Sequence, residues 1–122
     1  NESGVAVSGV LRRYRIPMER ALVVYDDLDL PLGRLRLLRA GGPGSHNGMR
    51  SVLAALRSEE IPRLRIGIEI ENRRSRGRDY VLERFTPDEW ERVLPALESA
   101  VEAIDVFRRD GIDAAMTRFN RR

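Results

Sequence analysis

A short apolar run at residues 21–25 ends directly in carboxylates, and this junction most constrains what the chain can fold into. The run includes adjacent β-branched valines, which is typical of a strand covered on both faces, as in a parallel or mixed sheet. Asp26, Asp27 and Asp29 follow it, before a turn at residues 31–33. Because ligands of α/β sheets bind at the carboxyl ends of strands, we expect Asp26 to point into a crevice.

Two further segments predict strands that pair with this run. Within residues 34–39, Leu35 and Leu37 share one face of a predicted strand, and Arg34 and Arg36 lie on the other. Residues 63–70 alternate more cleanly, with Leu64 and three isoleucines expected inward and Arg63 and Arg65 outward. The strands therefore predict a half-buried sheet.

Segments with helical periodicity lie before, between and after these strands. Apolar residues recur at helical spacing near the start of the chain and again after residue 45. Thr86-Pro-Asp-Glu89 has the pattern of a capping box with proline at the first helical position. We expect the helix that follows to kink or break at Pro95. Its apolar face is predicted from these residues: Trp90, Val93, Leu94, Leu97, Val101, Ile104 and Phe107. Together the elements predict one α/β domain, with a mixed, largely parallel sheet and helices on both faces.

The composition excludes several classes of site. The 122 residues include no cysteine and one histidine, which excludes disulfides, cysteine nucleophiles, thiolate metal sites and multi-histidine metal sites. No apolar run reaches the ~18 residues that a membrane span needs. The formal net charge is +3, and every basic residue is arginine, whose planar fork suits phosphate. On composition alone, an arginine-rich surface in contact with solvent explains these basic residues equally well.

A glycine-rich turn at residues 40–44 leads into the helix after residue 45. Free backbone N–H groups and the positive end of the helix dipole make such a junction a natural anion site. Asn47 can offer a donor and an acceptor to a polar substrate. Each signal has an ordinary alternative: glycines permit turns, a histidine at a helix start is usually structural, and an aspartate run usually forms a turn. A third hypothesis is a metal-dependent phosphatase whose metal is bound by Asp26, Asp27 and Asp29, but the sequence shows no second cluster of metal ligands.

Four sequence segments, taken together, resemble bacterial peptidyl-tRNA hydrolases. They are N-x-S-G from residue 1, DDLDLPLGRLRLLRAGGPGSHNGMRS at residues 26–51, PRLRIGI at 62–68 and GIDAAMTRFN at 111–120. The resemblance runs in order through the whole chain. It implies an enzyme that hydrolyses the ester between a peptide and the 3′ ribose of its tRNA, without a metal or cofactor. It also implies a cytoplasmic protein, which we expect to be a monomer.

The resemblance also implies roles for particular residues. Asp26 matches the aspartate that orients the catalytic histidine, which acts as general base on water. Asn1 and Asn47 match asparagines that contact the substrate, and Gly44 belongs to the same substrate-binding motif. His46 matches a histidine of the gate over the site, which is not the base.

Three arginines match positions where the family binds tRNA phosphates: Arg36, Arg39 and Arg65. Contacts of this kind would be largely independent of the tRNA sequence, as a substrate class of many tRNAs requires.

The chain departs from the family pattern at its start. The family begins with a strand, a G-N-P-G turn and a T-R-H-N segment that carries the catalytic histidine, and these motifs do not occur in residues 1–122. We therefore expect residues 1–122 to form a single, N-terminally truncated domain, which by itself hydrolyses poorly because it lacks a positioned base. The alternative is an RNA-binding relative of the same fold that has no hydrolytic activity.

Overall fold

The sheet and its helices account for most of the chain. The computed structural model describes residues 2–70 and 84–120. In order, the elements are α1 (Ser3–Arg13), a 3-10 turn (Met18–Arg20), β1 (Val23–Pro31), β2 (Leu35–Leu38), α2 (Asn47–Leu56), β3 (Arg63–Glu69), α3 (Pro87–Asp110) and α4 (Ile112–Phe119). The predicted α/β class, with a mixed sheet and helices on both faces, is confirmed.

The strand order β1-β3-β2 places β3 at the centre of the described sheet. β3 pairs with β1 in parallel and with β2 antiparallel. The β1–β3 register shifts between Asp27 and Pro31, where the two strands pass very close to one another. A Cβ on Gly67 would lie 2.1 Å from the carbonyl oxygen of Pro31, so only glycine fits there. This irregularity lies directly beyond Asp26 and inside β1, which continues to Pro31 and does not end at residue 25 as predicted.

Helices α1 and α2 cover one face of the sheet. Tyr25 of β1 packs there with buried residues of α2 and with Ile61. The two helices approach so closely that a Cβ on Gly4 would lie 2.1 Å from the carbonyl oxygen of Ser51. The Gly4 N–H also donates to Ser51 Oγ at 3.0 Å, which fixes the crossing point. The first helix therefore holds α2 in place from outside the sheet.

Helices α3 and α4 cover the other face, and α3 does so with small residues. The predicted capping box at Thr86 and Glu89 is confirmed. The buried residues of this helix include three alanines and two valines: Val93, Ala96, Ala100, Ala103 and Val106. The predicted apolar face is wrong for most of its members, because five of them are 36–68% exposed: Trp90, Leu94, Leu97, Val101 and Ile104. The alanines allow the helix to approach the sheet closely, and the larger side chains are turned outward.

The expected break at Pro95 is also wrong. Helix α3 runs without interruption through this residue, which is exposed on its surface. The hydrogen bond that proline cannot donate is thus lost on the solvent side, where water can satisfy the free carbonyl.

The outer edge of β2 is closed by a side chain. Asn120, at the end of α4, accepts from the Leu37 N–H and donates to the Leu37 carbonyl oxygen, both at 2.7 Å. Its amide thereby replaces the backbone of a neighbouring strand. Among residues 2–70 and 84–120, no helix is long and apolar enough to cross a membrane.

One expectation about β3 is wrong in a way that bears on the site. Arg63 was predicted to point outward, but its side chain is fully buried on the α1/α2 side of the sheet. The period-two alternation is correct, since Leu64 packs on the opposite face. The sequence pattern did not show that the face of β3 that carries Arg63 is covered, at the start of the strand, by the glycine-rich turn at residues 40–44 and by the loop after α2.

Candidate active site

Asp26 and His46 meet within β1, just before the register shift between Asp27 and Pro31. The His46 Nε2 atom lies 3.4 Å from Asp26 Oδ1, with side chains 29% and 46% exposed. The imidazole also contacts the Tyr25 ring, with centroids 4.8 Å apart and planes inclined by 57°. A histidine, a carboxylate and a phenol ring therefore lie together at this part of β1.

His46 is also the N-cap of α2. Its Nδ1 atom accepts a hydrogen bond from the Met49 N–H at 3.0 Å, a role more often filled by serine, threonine or aspartate. This geometry explains the glycine at position 48, because a Cβ there would lie 2.9 Å from His46 Cε1 and 3.3 Å from His46 Nδ1. The motif G-S-H-N-G thus builds a helix start around an imidazole ring.

The cap determines which proton the neutral imidazole carries. A nitrogen that accepts a hydrogen bond has no proton, so the proton resides on Nε2, which faces Asp26. The one unprotonated nitrogen of the neutral ring, Nδ1, therefore already accepts the hydrogen bond from the Met49 N–H. In this arrangement His46 cannot accept a proton from water without breaking its own cap. This chemistry agrees with the expectation that His46 is not the general base.

Asn47 and Gly44 frame the helix start on its solvent side. Asn47 is the first residue of α2, is exposed, and makes no side-chain hydrogen bond to any other described residue. The backbone N–H groups of Asn47 and Gly48 also have no partner in the described part of the chain, as expected in the first turn of a helix. Gly44 has φ +58°, and its carbonyl oxygen accepts from Arg50. These donors point to a site for a partial or full negative charge.

The three predicted phosphate-binding arginines differ in their surroundings. Arg36 and Arg65 are directly opposite one another on β2 and β3, so they share a face of the sheet. Arg36 is exposed, whereas the Arg65 side chain is 24% exposed, donates to the Tyr25 hydroxyl at 3.2 Å and lies 3.8 Å from Asp27 Oδ2.

The third arginine, Arg39, forms an exposed ion pair with Asp113 at the start of α4. Of the three guanidinium groups, only that of Arg36 has no ion-pair partner in the described part of the chain.

The other two aspartates of β1, Asp27 and Asp29, form local hydrogen bonds. Asp27 Oδ1 accepts from the Asp29 N–H at 2.8 Å, and Ser45 Oγ donates to Asp29 Oδ2 at 3.5 Å. This last contact ties the end of β1 to the turn before α2. Within residues 2–70 and 84–120, no group of three or more potential metal-binding side chains is found. The predicted substrate contact Asn1 lies outside the described residues.

Two residues of the site were missed in the sequence. Tyr25 was assigned only to a buried strand, yet its ring packs against His46 and its hydroxyl accepts from Arg65. Arg63 was predicted on the surface, yet its guanidinium binds the glycine turn that leads to His46. The period-two alternation places residues 25, 63 and 65 on one face, but it does not identify what covers that face.

Comparison with known proteins shows which family this chain resembles. The family described as peptidyl-tRNA hydrolase matches residues 1–122. The peptidyl-tRNA hydrolase of Carboxydothermus hydrogenoformans is 50% identical over 123 residues, covering 99% of this chain and 64% of that protein. That of Chloroflexus aurantiacus is 48% identical over 122 residues, covering 98% and 64%. The crystal structure of peptidyl-tRNA hydrolase from Acinetobacter baumannii superposes with a TM-score of 0.84 at 30% identity, covering 98% of this chain and 60% of that one.

The chain thus spans about 64% of the length of these curated relatives. Its match to the family covers every element described above, from α1 to α4. The chain belongs to the peptidyl-tRNA hydrolase family.

Proposed function

We propose that a protein carrying this chain hydrolyses the ester bond between the peptide and the 3′ ribose of peptidyl-tRNA. The observation that carries the proposal is the position of Asp26 of β1 beside His46, the N-cap of α2, whose exposed first turn begins at Asn47. Family membership makes ester hydrolysis the chemistry to assign to this junction.

In the proposed reaction Asp26 orients an imidazole that removes a proton from water. The resulting hydroxide attacks the ester carbonyl carbon, and a tetrahedral intermediate forms. Its oxyanion accepts hydrogen bonds from the Asn47 side chain and from the first-turn N–H groups. Collapse of the intermediate breaks the bond to the ribose 3′ oxygen, which takes the proton back from the imidazolium. The peptide leaves as a carboxylic acid and the tRNA leaves with a free 3′ hydroxyl group.

The base in this scheme is a histidine other than His46. The lone pair of the neutral His46 ring is already used to cap α2. Asp26 can serve a second imidazole, because its side chain is 46% exposed and the His46 contact is through Oδ1. The 122 residues contain no other histidine, so we predict that this chain by itself hydrolyses peptidyl-tRNA poorly.

We assign the tRNA phosphates to the face of the sheet that carries Arg36 and Arg65, with Arg39 beside it. Arg36 supports this assignment most strongly, since it is exposed and its guanidinium is available. Binding of this kind would be sensitive to salt and largely independent of sequence. We further propose that the protein acts as a monomer in the cytoplasm.

The test uses the full product of the gene that encodes this chain and the substitution Asp26→Asn. The change keeps the size of the side chain but removes the charge that orients the imidazole. We expect the rate of peptide release from peptidyl-tRNA to fall by about 10²–10⁴, the usual contribution of acid–base catalysis. The dissociation constant for tRNA should change by less than about twofold, because Asp26 neutralises no phosphate.

The matched control is Asp110→Asn, which removes an exposed carboxylate at the far end of α3 and should leave both quantities unchanged. If Asp26→Asn releases peptide as fast as the unchanged protein, the assignment of Asp26 is wrong. If the unchanged gene product binds tRNA but releases no peptide, the non-catalytic RNA-binding alternative is correct instead.

A further inference from the structure

The side chain of Arg63 is buried among backbone carbonyl groups. It is 0% exposed at the start of β3. Its Nε atom donates to the Ile61 carbonyl at 3.1 Å, and its Nη2 atom donates to the Glu59 carbonyl at 2.8 Å. Its Nη1 atom donates to the carbonyls of Gly41 and Gly42 at 2.8 and 3.0 Å. Four hydrogen bonds thus run from one guanidinium to two separate loops.

These two loops are the segments that flank α2. Gly41 and Gly42 lie in the turn before the helix, and Glu59 and Ile61 lie in the loop after it. The Gly41 N–H donates to the Glu59 carbonyl at 3.1 Å, so the loops also contact each other directly. Since only four residues separate Gly42 from Asn47, an anchor on this turn restricts where the first turn of α2 can lie.

Stability alone is a poor reason for a charge in this position. Burial lowers the pKa of Arg63, which reflects the unfavourable removal of the guanidinium from water, and no carboxylate among the described residues forms an ion pair with it. A well-packed apolar side chain often stabilises a fold as much as a buried charge does. An apolar residue, however, could not donate hydrogen bonds to four carbonyls, as the rigid guanidinium of Arg63 does. This set of hydrogen bonds is suited to fixing the positions of the two loops that flank α2 relative to each other.

We propose that Arg63 is a positioning residue, which fixes the Gly41–Gly42 turn and thereby places His46 and Asn47 against Asp26. The residue touches neither substrate nor reacting atoms in this scheme and acts through the turn. This inference deepens the proposed function and rests on it for the roles of Asp26 and Asn47. The placement itself is a structural claim, which can be tested without measuring hydrolysis.

The first test compares Arg63→Met with Leu64→Ala in the full chain. Both changes disturb a fully buried side chain of β3, but Leu64 packs on the opposite face. His46 is the only histidine of residues 1–122, so one set of ring-nitrogen NMR signals, once assigned, reports on it. In Arg63→Met we expect the Nε2–H tautomer of His46 to give way to a mixture, and the Met49 amide to lose about tenfold or more of its exchange protection. In Leu64→Ala the tautomer should stay as in the unchanged protein.

The proposal is overturned if Arg63→Met lowers stability as Leu64→Ala does but leaves the His46 tautomer and the relative protection of Met49 unchanged. If Arg63→Met does not fold, Arg63→Lys takes its place. Lysine keeps the charge but cannot bind both loops through a planar fork, so the same loss of tautomer preference is expected.

A second measurement needs no variant. In the unchanged chain, the Arg63 Nε–H and the Gly41 and Met49 amides should exchange with the same opening equilibrium, because the proposal makes them one unit. Exchange of Gly41 and Met49 while Arg63 Nε–H stays protected would show that the turn opens independently, and would overturn the proposal. Since none of these readouts involves peptide release, failure of this inference and failure of the hydrolase proposal are distinguishable.

Discussion

The glycine at position 48 offers a direct test of how the site is built, through the substitution Gly48→Ala. In an ordinary helix this change stabilises by up to ~1 kcal/mol, because alanine has the higher helix propensity. Here the new Cβ would lie 2.9 Å from His46 Cε1 and 3.3 Å from Nδ1, so the imidazole must move. Movement of the ring removes the cap on Met49, which costs about 0.5–2 kcal/mol.

The two effects nearly cancel in stability but not in structure. We expect the free energy of unfolding of Gly48→Ala to lie within about 1 kcal/mol of the unchanged chain. For a chain of this length, 1 kcal/mol corresponds to a melting shift of ~4 °C. The His46 ring signals, in contrast, should lose their Nε2–H preference, since the hydrogen bond that fixes the tautomer is broken.

Gly9→Ala is the matched control. Gly9 lies inside α1, is exposed, and has nothing within 4 Å of the position of a Cβ. It should therefore show the full propensity gain, about 0.5–1 kcal/mol, with His46 unchanged. Urea unfolding and histidine NMR measure both quantities in both variants. If Gly48→Ala is stabilised as much as Gly9→Ala and His46 keeps its tautomer, the capping role of the imidazole is refuted.

Two further predictions concern the edge of the sheet and the basic face. Asn120→Ala removes both hydrogen bonds to the buried Leu37 backbone, so urea unfolding should show a loss of about 2–4 kcal/mol; a loss no larger than that of the exposed control Thr117→Ala would contradict the strand-like role of this amide. Arg36→Gln should weaken tRNA binding by the gene product and reduce the slope of log affinity against log salt by about one. Arg92→Gln, on the helix that covers the other face, should leave that slope unchanged, and equal slopes for all three proteins would contradict the assigned phosphate surface.

The fold class was predictable because strand alternation and helix caps are local signals. Thr86 and Glu89 form the expected capping box, whereas the predicted end of the first strand before Asp26 is wrong, because β1 continues through the carboxylates to Pro31. The buried face of α3 was not predictable from hydrophobicity, because the helix carries two apolar stripes. The stripe with larger side chains, such as Leu94 and Val101, is exposed, and the stripe with alanines meets the sheet. Hydrophobicity ranks the larger residues first, whereas close packing on a sheet favours the small ones.

The site was half predictable for a related reason. Asp26 and Asn47 could be proposed because carboxylates beside a buried strand and polar groups at a helix start are where α/β proteins often bind ligands, and their roles stay predictions. The tautomer of His46 could not be predicted, since it depends on which atom lies next to each ring nitrogen. The Met49 N–H occupies Nδ1 and Asp26 lies beside Nε2, so a residue that composition alone would suggest as the base has no lone pair available. In the proposed scheme the histidine that caps the helix shapes the site, and a second imidazole on the same carboxylate removes the proton.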